Sequence, residues 1–240
     1  MRITTGIFKG RLLKMPKGIR PTQNKVRKAV FDILGDIEGL SFLELFAGSG
    51  AVGFEALSRG AASLTLVEPE RESLQAIRRN IESLGITDCS LIPLDSESAI
   101  RLLHKEKKSF EIIFLDPPYY KKGTATPNLK APWHKGLPSA SSMDRKVGVP
   151  PSASTPNPKG WVGVPPSAST PNPKGWVGVP PSASKKALQM LGAYDILAPI
   201  GLVVVQHFKR DELPRQAGKL SLVKQARYGD TVISIYRKEA

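Results

Sequence analysis

"SFLELFAGSGAVGFEALSRG", residues 41 to 60, passes from an apolar β-rich run through glycines into a helix-length stretch. Gly48, Gly50 and Gly53 stand at G-x-G-x-x-G spacing where strand would give way to helix. Glycine lets the backbone turn sharply and approach a ligand, and the helix that follows offers unpaired N–H groups and the positive end of its dipole. Such a motif carries weight only inside a βαβ unit, and the flanks supply one. "SLTLVEP" (63–69), "CSLIPL" (89–94), "FEIIFL" (110–115) and "GLVVVQHF" (201–208) are further short apolar runs. Between them lie helical stretches near 50–59, 70–84 and 96–107, the second with Leu74, Ile77, Ile81 and Leu84 on one face. This alternation predicts an α/β, Rossmann-like, mostly parallel doubly wound sheet. "LSLVKQARYG" and "DTVISIYRK", meeting at "YGD", predict a C-terminal antiparallel hairpin.

The ends of the strands carry the chemistry. Glu68 closes the second, where an acid accepts hydrogen bonds from ribose hydroxyls; a nicotinamide dehydrogenase would show the same pair of features. Asp95 and Ser96 follow the third, where a side chain can accept from an adenine amino group, and Asp95 also reads as the N-cap of "SESAIRLL". The fourth ends in Asp116, Pro117, Pro118 and Tyr119. An amine conjugated to a base ring is a poor nucleophile because its lone pair is delocalised. The turn resembles motif IV of S-adenosylmethionine-dependent methyltransferases that modify such amines, and by that resemblance the Asp116 carboxylate and the Pro117 carbonyl would accept its two protons, turning nitrogen toward tetrahedral geometry, with Tyr119 stacked on the base. Hydride transfer has no use for such a turn.

Charge separates the chain into regions. The net charge of +14 is concentrated in residues 1–31, with nine Lys or Arg and no acid, and in 124–184, with six basic residues and Asp144. All other residues carry twenty of each sign. Basic excess on an arm is the footprint of a nucleic-acid partner. Within the arm, Thr22 precedes the helix-like "QNKVRKAVFDILG", striped by Val26, Val30, Ile33 and Leu34. "VGVPPSASTPNPKGW" occurs at 147–161, recurs unchanged at 162–176 and begins again at 177–184. Its Pro, Gly and Ser content offers little to bury, so a disordered insertion is expected. The expected division is therefore an arm and helix at 1–35, a catalytic domain at 36–123 and 185–240, and the repeat insertion at 124–184. The single Cys89 excludes an internal disulfide, three scattered His offer no metal spacing, and no apolar run reaches a membrane span. A cytoplasmic protein without metal or membrane is expected.

"RITTGIFKGRLLKMPKGIRPTQNKVRKAVFDIL" (2–34), "FLELFAGSGAVGFEALSRGA" (42–61), "LVEPE" (66–70), "FLDPPY" (114–119) and "RYGDTVISIYRK" (227–238) together resemble the RsmD family. The resemblance covers the chain except roughly 123–184. It implies a class I methyltransferase that uses S-adenosyl-L-methionine to methylate guanine N2 in 16S rRNA, free or within a small-subunit assembly particle, as a monomer. By resemblance the cofactor-binding set comprises Glu44 and Pro69, Phe46, Ala47, Gly48, Ser49 and Gly50 at the methionine end, Glu68 at the ribose, and Asp95 and Ser96 at the adenine. Asp116, Pro117, Pro118 and Tyr119 would hold the guanine. Arg11, Lys14, Arg20, Lys25 and Arg27, with Thr22, would meet RNA. Thr4 and Thr5 stand where the family usually has glycines, and Asn24 and Lys25 where it often has Asp-Arg. Two other functions use related residues: a DNA adenine-N6 or cytosine-N4 methyltransferase, for which a target-recognition domain is missing, and a non-catalytic RNA-binding assembly factor, against which the intact glycine loop and DPPY argue.

Overall fold

The computed structural model describes residues 1–16, 24–117 and 182–239, so the repeat insertion up to residue 181 lies outside the described residues. The centre of the fold is β1 (Ser41–Leu45), paired in parallel with β2 (Ser63–Val67) on one side and β4 (Phe110–Leu115) on the other. β3 (Cys89–Ile92) and β5 (Leu197–Phe208) extend the parallel part outward. β8 (Thr231–Lys238) and β7 (Leu220–Tyr228) form the expected hairpin, antiparallel to β5, and the two-residue β6 (Gln216–Ala217) closes the edge. The result is one eight-stranded sheet in the order β3-β2-β1-β4-β5-β8-β7-β6. The chain winds from β1 out to β3 and then returns to β4 on the opposite side of β1. Ligands of doubly wound sheets bind beyond the carboxyl ends of the strands at such a reversal.

Central strands buried on both faces read as unbroken apolar runs, and "IIFL" (112–115) of β4 is one. Phe42, Ile112, Phe114 and Val204 point to one face, beneath α1 (Asn24–Leu34), α2 (Ala51–Ser58) and α3 (Arg71–Leu84). Leu43, Leu45, Ile113, Leu115, Val203 and Val205 point to the other, beneath α4 (Ser96–Lys105) and α5 (Ala183–Ala193). Helix α5 begins earlier than the repeat boundary suggested. Ser182 Oγ accepts a hydrogen bond from Lys185 N at 3.2 Å as its N-cap, and Ser184 is buried. The last residues of the third repeat copy therefore belong to the folded domain.

Residues 1–16 are not the free appendage that their charge suggested. A bridge between Arg2 and Leu12 folds them back on themselves, and Ile3 and Leu13 enter the core. Their anchor is α2. Thr4 donates through N and Oγ1 to Glu55 at 2.8 and 2.6 Å, while Ile7 N and Phe8 N donate to the carbonyl and Oγ of Ser58, each at 2.9 Å. Gly6 makes the approach possible, since it takes φ +78° and a Cβ there would stand 1.5 Å from Ser58 O. The phosphate role expected for Arg27 is overturned here. Its side chain is buried, with Nη2 donating to Arg2 O at 2.7 Å and to Asn24 Oδ1 at 3.1 Å, and Nε 3.6 Å from Glu55. Fully buried, it presents no surface to a phosphate.

Candidate active site

The glycine loop leaves β1 through Phe46, which takes φ 64°, and turns through Gly48 at φ 55° and Gly50 at φ 72° before α2 begins. Gly50 N donates to Ala47 O at 2.7 Å and closes the turn, and Ser49 is buried within it. Ligand space does not explain Gly50. A Cβ there would meet the Phe54 ring at 2.7 Å and Leu66 at 3.0 Å, so its left-handed backbone and the core beneath require the glycine. Gly53 lets α2 close on the sheet, because a Cβ would lie 2.6 Å from Leu64 and 2.8 Å from Glu44 Oε2.

Three carboxylates meet at the sheet's reversal. Glu44, at the end of β1, is buried and accepts from Gly53 N at 2.8 Å. Glu68, just past β2, accepts from Gly48 N at 2.7 Å and from Glu70 N at 2.9 Å. Asp116 follows β4 directly, with Pro117 buried behind it. Burial, opposed by the Gly53 hydrogen bond and aided by the charges of Asp116 and Glu68, pushes the Glu44 carboxyl up to about 8. Burial also raises Glu68. A cation placed among them relieves this strain on negative charge.

The Glu44 shift has a measurable sign. Its folded pKa lies above the unfolded 4.5, so between about 4.5 and 8 the native state holds more protons and loses stability as pH rises. Glu44→Gln is expected to gain stability over the wild type at pH 8 and to match it at pH 5. Denaturant midpoints of the unliganded protein at the two pH values check this, and an equal difference at both would refute the assignment.

Asp95 caps α4, in agreement with one of the two roles its sequence position allows. Oδ1 accepts from the backbone N of Glu97 and of Ser98, both at 3.0 Å, and Oδ2 from Ser98 Oγ at 2.8 Å. Burial would raise its pKa, but these bonds hold it below the usual value. Ser96 is buried beside it and Pro69 follows Glu68 at the same sheet edge. Of the expected RNA contacts, Arg11, Lys14 and Lys25 are exposed; Arg20, Thr22, Pro118 and Tyr119 lie outside the described residues. Among the described residues, no group of His, Cys, Asp and Glu could hold a metal ion, and no helix is long and apolar enough to cross a membrane.

One residue that the sequence reading passed over joins these regions. Asn80 of α3 is fully buried, accepts from Lys14 N at 2.7 Å, and donates through Nδ2 to Lys14 O at 3.1 Å and to Ser49 O at 3.2 Å. It clamps the N-terminal hairpin to the glycine loop. The signal was there: an Asn at an inward position of α3, between Ile77 and Leu84, has no capping role to explain it.

A family model described as "Conserved hypothetical protein 95" matches residues 1–135. "Putative rRNA methyltransferase YlbH" of Bacillus subtilis is 28% identical over 242 residues, which cover 99% of each chain. "Ribosomal RNA small subunit methyltransferase D" of Escherichia coli K12 is 37% identical over 122 residues, 50% of this chain and 60% of that protein. The solved structure of "Putative methyltransferase yhhF" from Escherichia coli shares the fold with a TM-score of 0.64 at 22% identity, over 100% of this chain and 98% of that one.

Proposed function

Because this chain belongs to the conserved hypothetical protein 95 family, the RsmD-type methyltransferases, we propose that it methylates the exocyclic N2 of a guanine in 16S rRNA. The observation that carries the proposal is the convergence of Glu44, Glu68 and Asp116 at the sheet's reversal, beside a glycine loop. This donor set fits S-adenosyl-L-methionine, which supplies an electrophilic methyl on a cationic sulfur. Glu68 places negative charge beside a positively charged ligand, Glu44 adds its own as the ligand's charge draws it to ionise, and the lone pairs Glu68 keeps beyond Gly48 and Glu70 are available to ribose hydroxyls.

Asp116 and the Pro117 carbonyl accept the two amino protons of the target base. Held this way, the nitrogen would turn its lone pair, freed from the ring, toward the methyl that the bound cofactor would supply, and Asp116 would take up the amino proton that is lost. The proposed substrate is the small-subunit RNA or its assembly particle, gripped through exposed Arg11, Lys14 and Lys25 and acted on by a cytoplasmic monomer. The test is incubation with labelled S-adenosyl-L-methionine and small-subunit particles or RNA lacking the modification, followed by mass spectrometric mapping. Label on guanine N2 supports the proposal. Label only on DNA, adenine or cytosine refutes it.

Charge on the hairpin gives a second measurement. Replacing Arg11, Lys14 and Lys25 together by Gln, with the buried Arg27 untouched, is expected to weaken RNA binding. It should also flatten the salt dependence by about 0.7 to 0.9 log units per log salt for each phosphate no longer neutralised. Cofactor affinity should hold. An unchanged slope would show that these side chains do not meet phosphate.

A further inference from the structure

The reaction as proposed leaves one buried polar group at the sheet edge unused. Strands β4 and β5 pair in parallel up to Leu115 and Val205. One residue further stand Asp116 and Gln206, neighbours on adjacent strand ends. Leu115 and Val205 face α4 and α5, whereas Phe114 and Val204 face α1 and α2. The pleat therefore returns Gln206 to the α1 side, the side of Glu44 and the N-terminal hairpin. Gln206 is 5% exposed, its neighbour across β8 is the apolar Ile233, and its Oε1 is buried without a hydrogen-bond partner. His207, next in sequence, does not share this state, because its ring nitrogens meet Phe208 O at 3.1 Å and Ser234 Oγ at 2.8 Å. Buried amide oxygens are nearly always paired, and an orphan beside a ligand site points to a partner that the ligand brings.

We propose that Gln206 reads the target base, with Oε1 accepting the N1–H of the guanine whose amino group Asp116 holds. This rests on the methyl transfer proposed above and adds what selects the base. On guanine the ring nitrogen beside the amine carries a hydrogen. On adenine and cytosine the corresponding ring nitrogen is an acceptor. An acceptor placed next to the amine clamp thus matches guanine and opposes the other two, since each would leave two acceptors facing one another.

The test compares two RNA substrates and two variants of the full chain. One RNA carries the target guanine; the other carries 2-aminopurine there, which keeps the amine but lacks N1–H and O6. The wild type is expected to favour guanine by about tenfold or more in kcat/KM. Gln206→Met removes the acceptor at similar size and should lower kcat/KM on guanine by ~10- to 100-fold while leaving 2-aminopurine nearly unaffected, so that the preference collapses. Gln206→Glu keeps acceptors alone and should retain most of the preference; its loss would mean that the amide presents NH2 to the base and would overturn the inference. Cofactor affinity by calorimetry should stay unchanged in Gln206→Met. Normal transfer to guanine with an unaltered ratio in Gln206→Met overturns this inference alone. Transfer by the wild type only to adenine or cytosine overturns the function reading and this inference with it.

Discussion

Replacing Asp116 by Ala lowers the rate of methyl transfer by ~100-fold or more, the scale for loss of one preorganised polar group, while cofactor affinity holds or tightens slightly. The first half follows from the position of Asp116, one residue beyond β4 at the sheet's reversal, where the reading proposed above puts the target amine. The second follows from electrostatics. Asp116 is one of the charges that raise the Glu44 carboxyl to about 8, so its removal lets Glu44 ionise more readily and strengthens attraction for a cation. Single-turnover rates and calorimetry separate the two effects. Turnover near the wild-type level would sink the amine clamp, and a large loss of cofactor affinity would sink the electrostatic account of the pocket.

Glu55→Ala is expected to cost ~3 to 5 kcal/mol of stability, the range for removing one partner of a buried ion pair. Glu55 is buried on α2 and takes hydrogen bonds from Thr4 N, Thr4 Oγ1 and Arg59 Nε, with Arg27 Nε at 3.6 Å. Truncation strands the guanidinium of Arg27, of which Nε and Nη1 already lack hydrogen bonds. Burial pushes the Glu55 carboxyl up, but the Thr4 hydrogen bonds and then Arg27 and Arg59 outweigh it and hold the pKa below 4.5. Its stabilising contribution is therefore complete above about pH 4.5 and lost as pH falls through the lower folded value. Replacing the pair together, Glu55→Leu with Arg27→Met, should recover part of the loss. Denaturant unfolding measures all three proteins. A cost under about 1 kcal/mol for Glu55→Ala would show that the hairpin and α1 are held by their apolar contacts alone.

The sheet was legible because its evidence is local. "FEIIF" and "SLTLV" are short apolar runs that form neighbouring strands of the sheet, and "YGD" is a turn between β-rich runs, so neighbouring residues declare each element. The position of the candidate site was legible for a related reason: Glu68 and Asp116 stand at the ends of strands that neighbouring residues declare, although Gly50 and Gly53 answer to the core beneath them. What escaped was decided by partners distant in sequence. A lysine or arginine looks the same in a string of letters whether it faces solvent, as Lys25 does, or a buried carboxylate on another helix, as Arg27 does. Asn80 and Gln206 likewise gain meaning only when the winding of the chain sets Ser49 beside the one and Asp116 beside the other.

The cap of α5 bears on how this gene can change. Tandem identical tracts gain and lose whole units when a copying polymerase slips, and this chain carries two complete fifteen-residue copies and the start of a third. Every copy contains the same "PPSAS", so whichever one ends next to Lys185 delivers a serine in register to cap the helix as Ser182 does. Slippage by one unit would leave the residues entering α5 unchanged and lengthen or shorten the connection by an amount costing well under about 0.6 kcal/mol. The repeat can thus vary in length between lineages without selection on the fold detecting it. A slip out of phase would replace the cap and be removed.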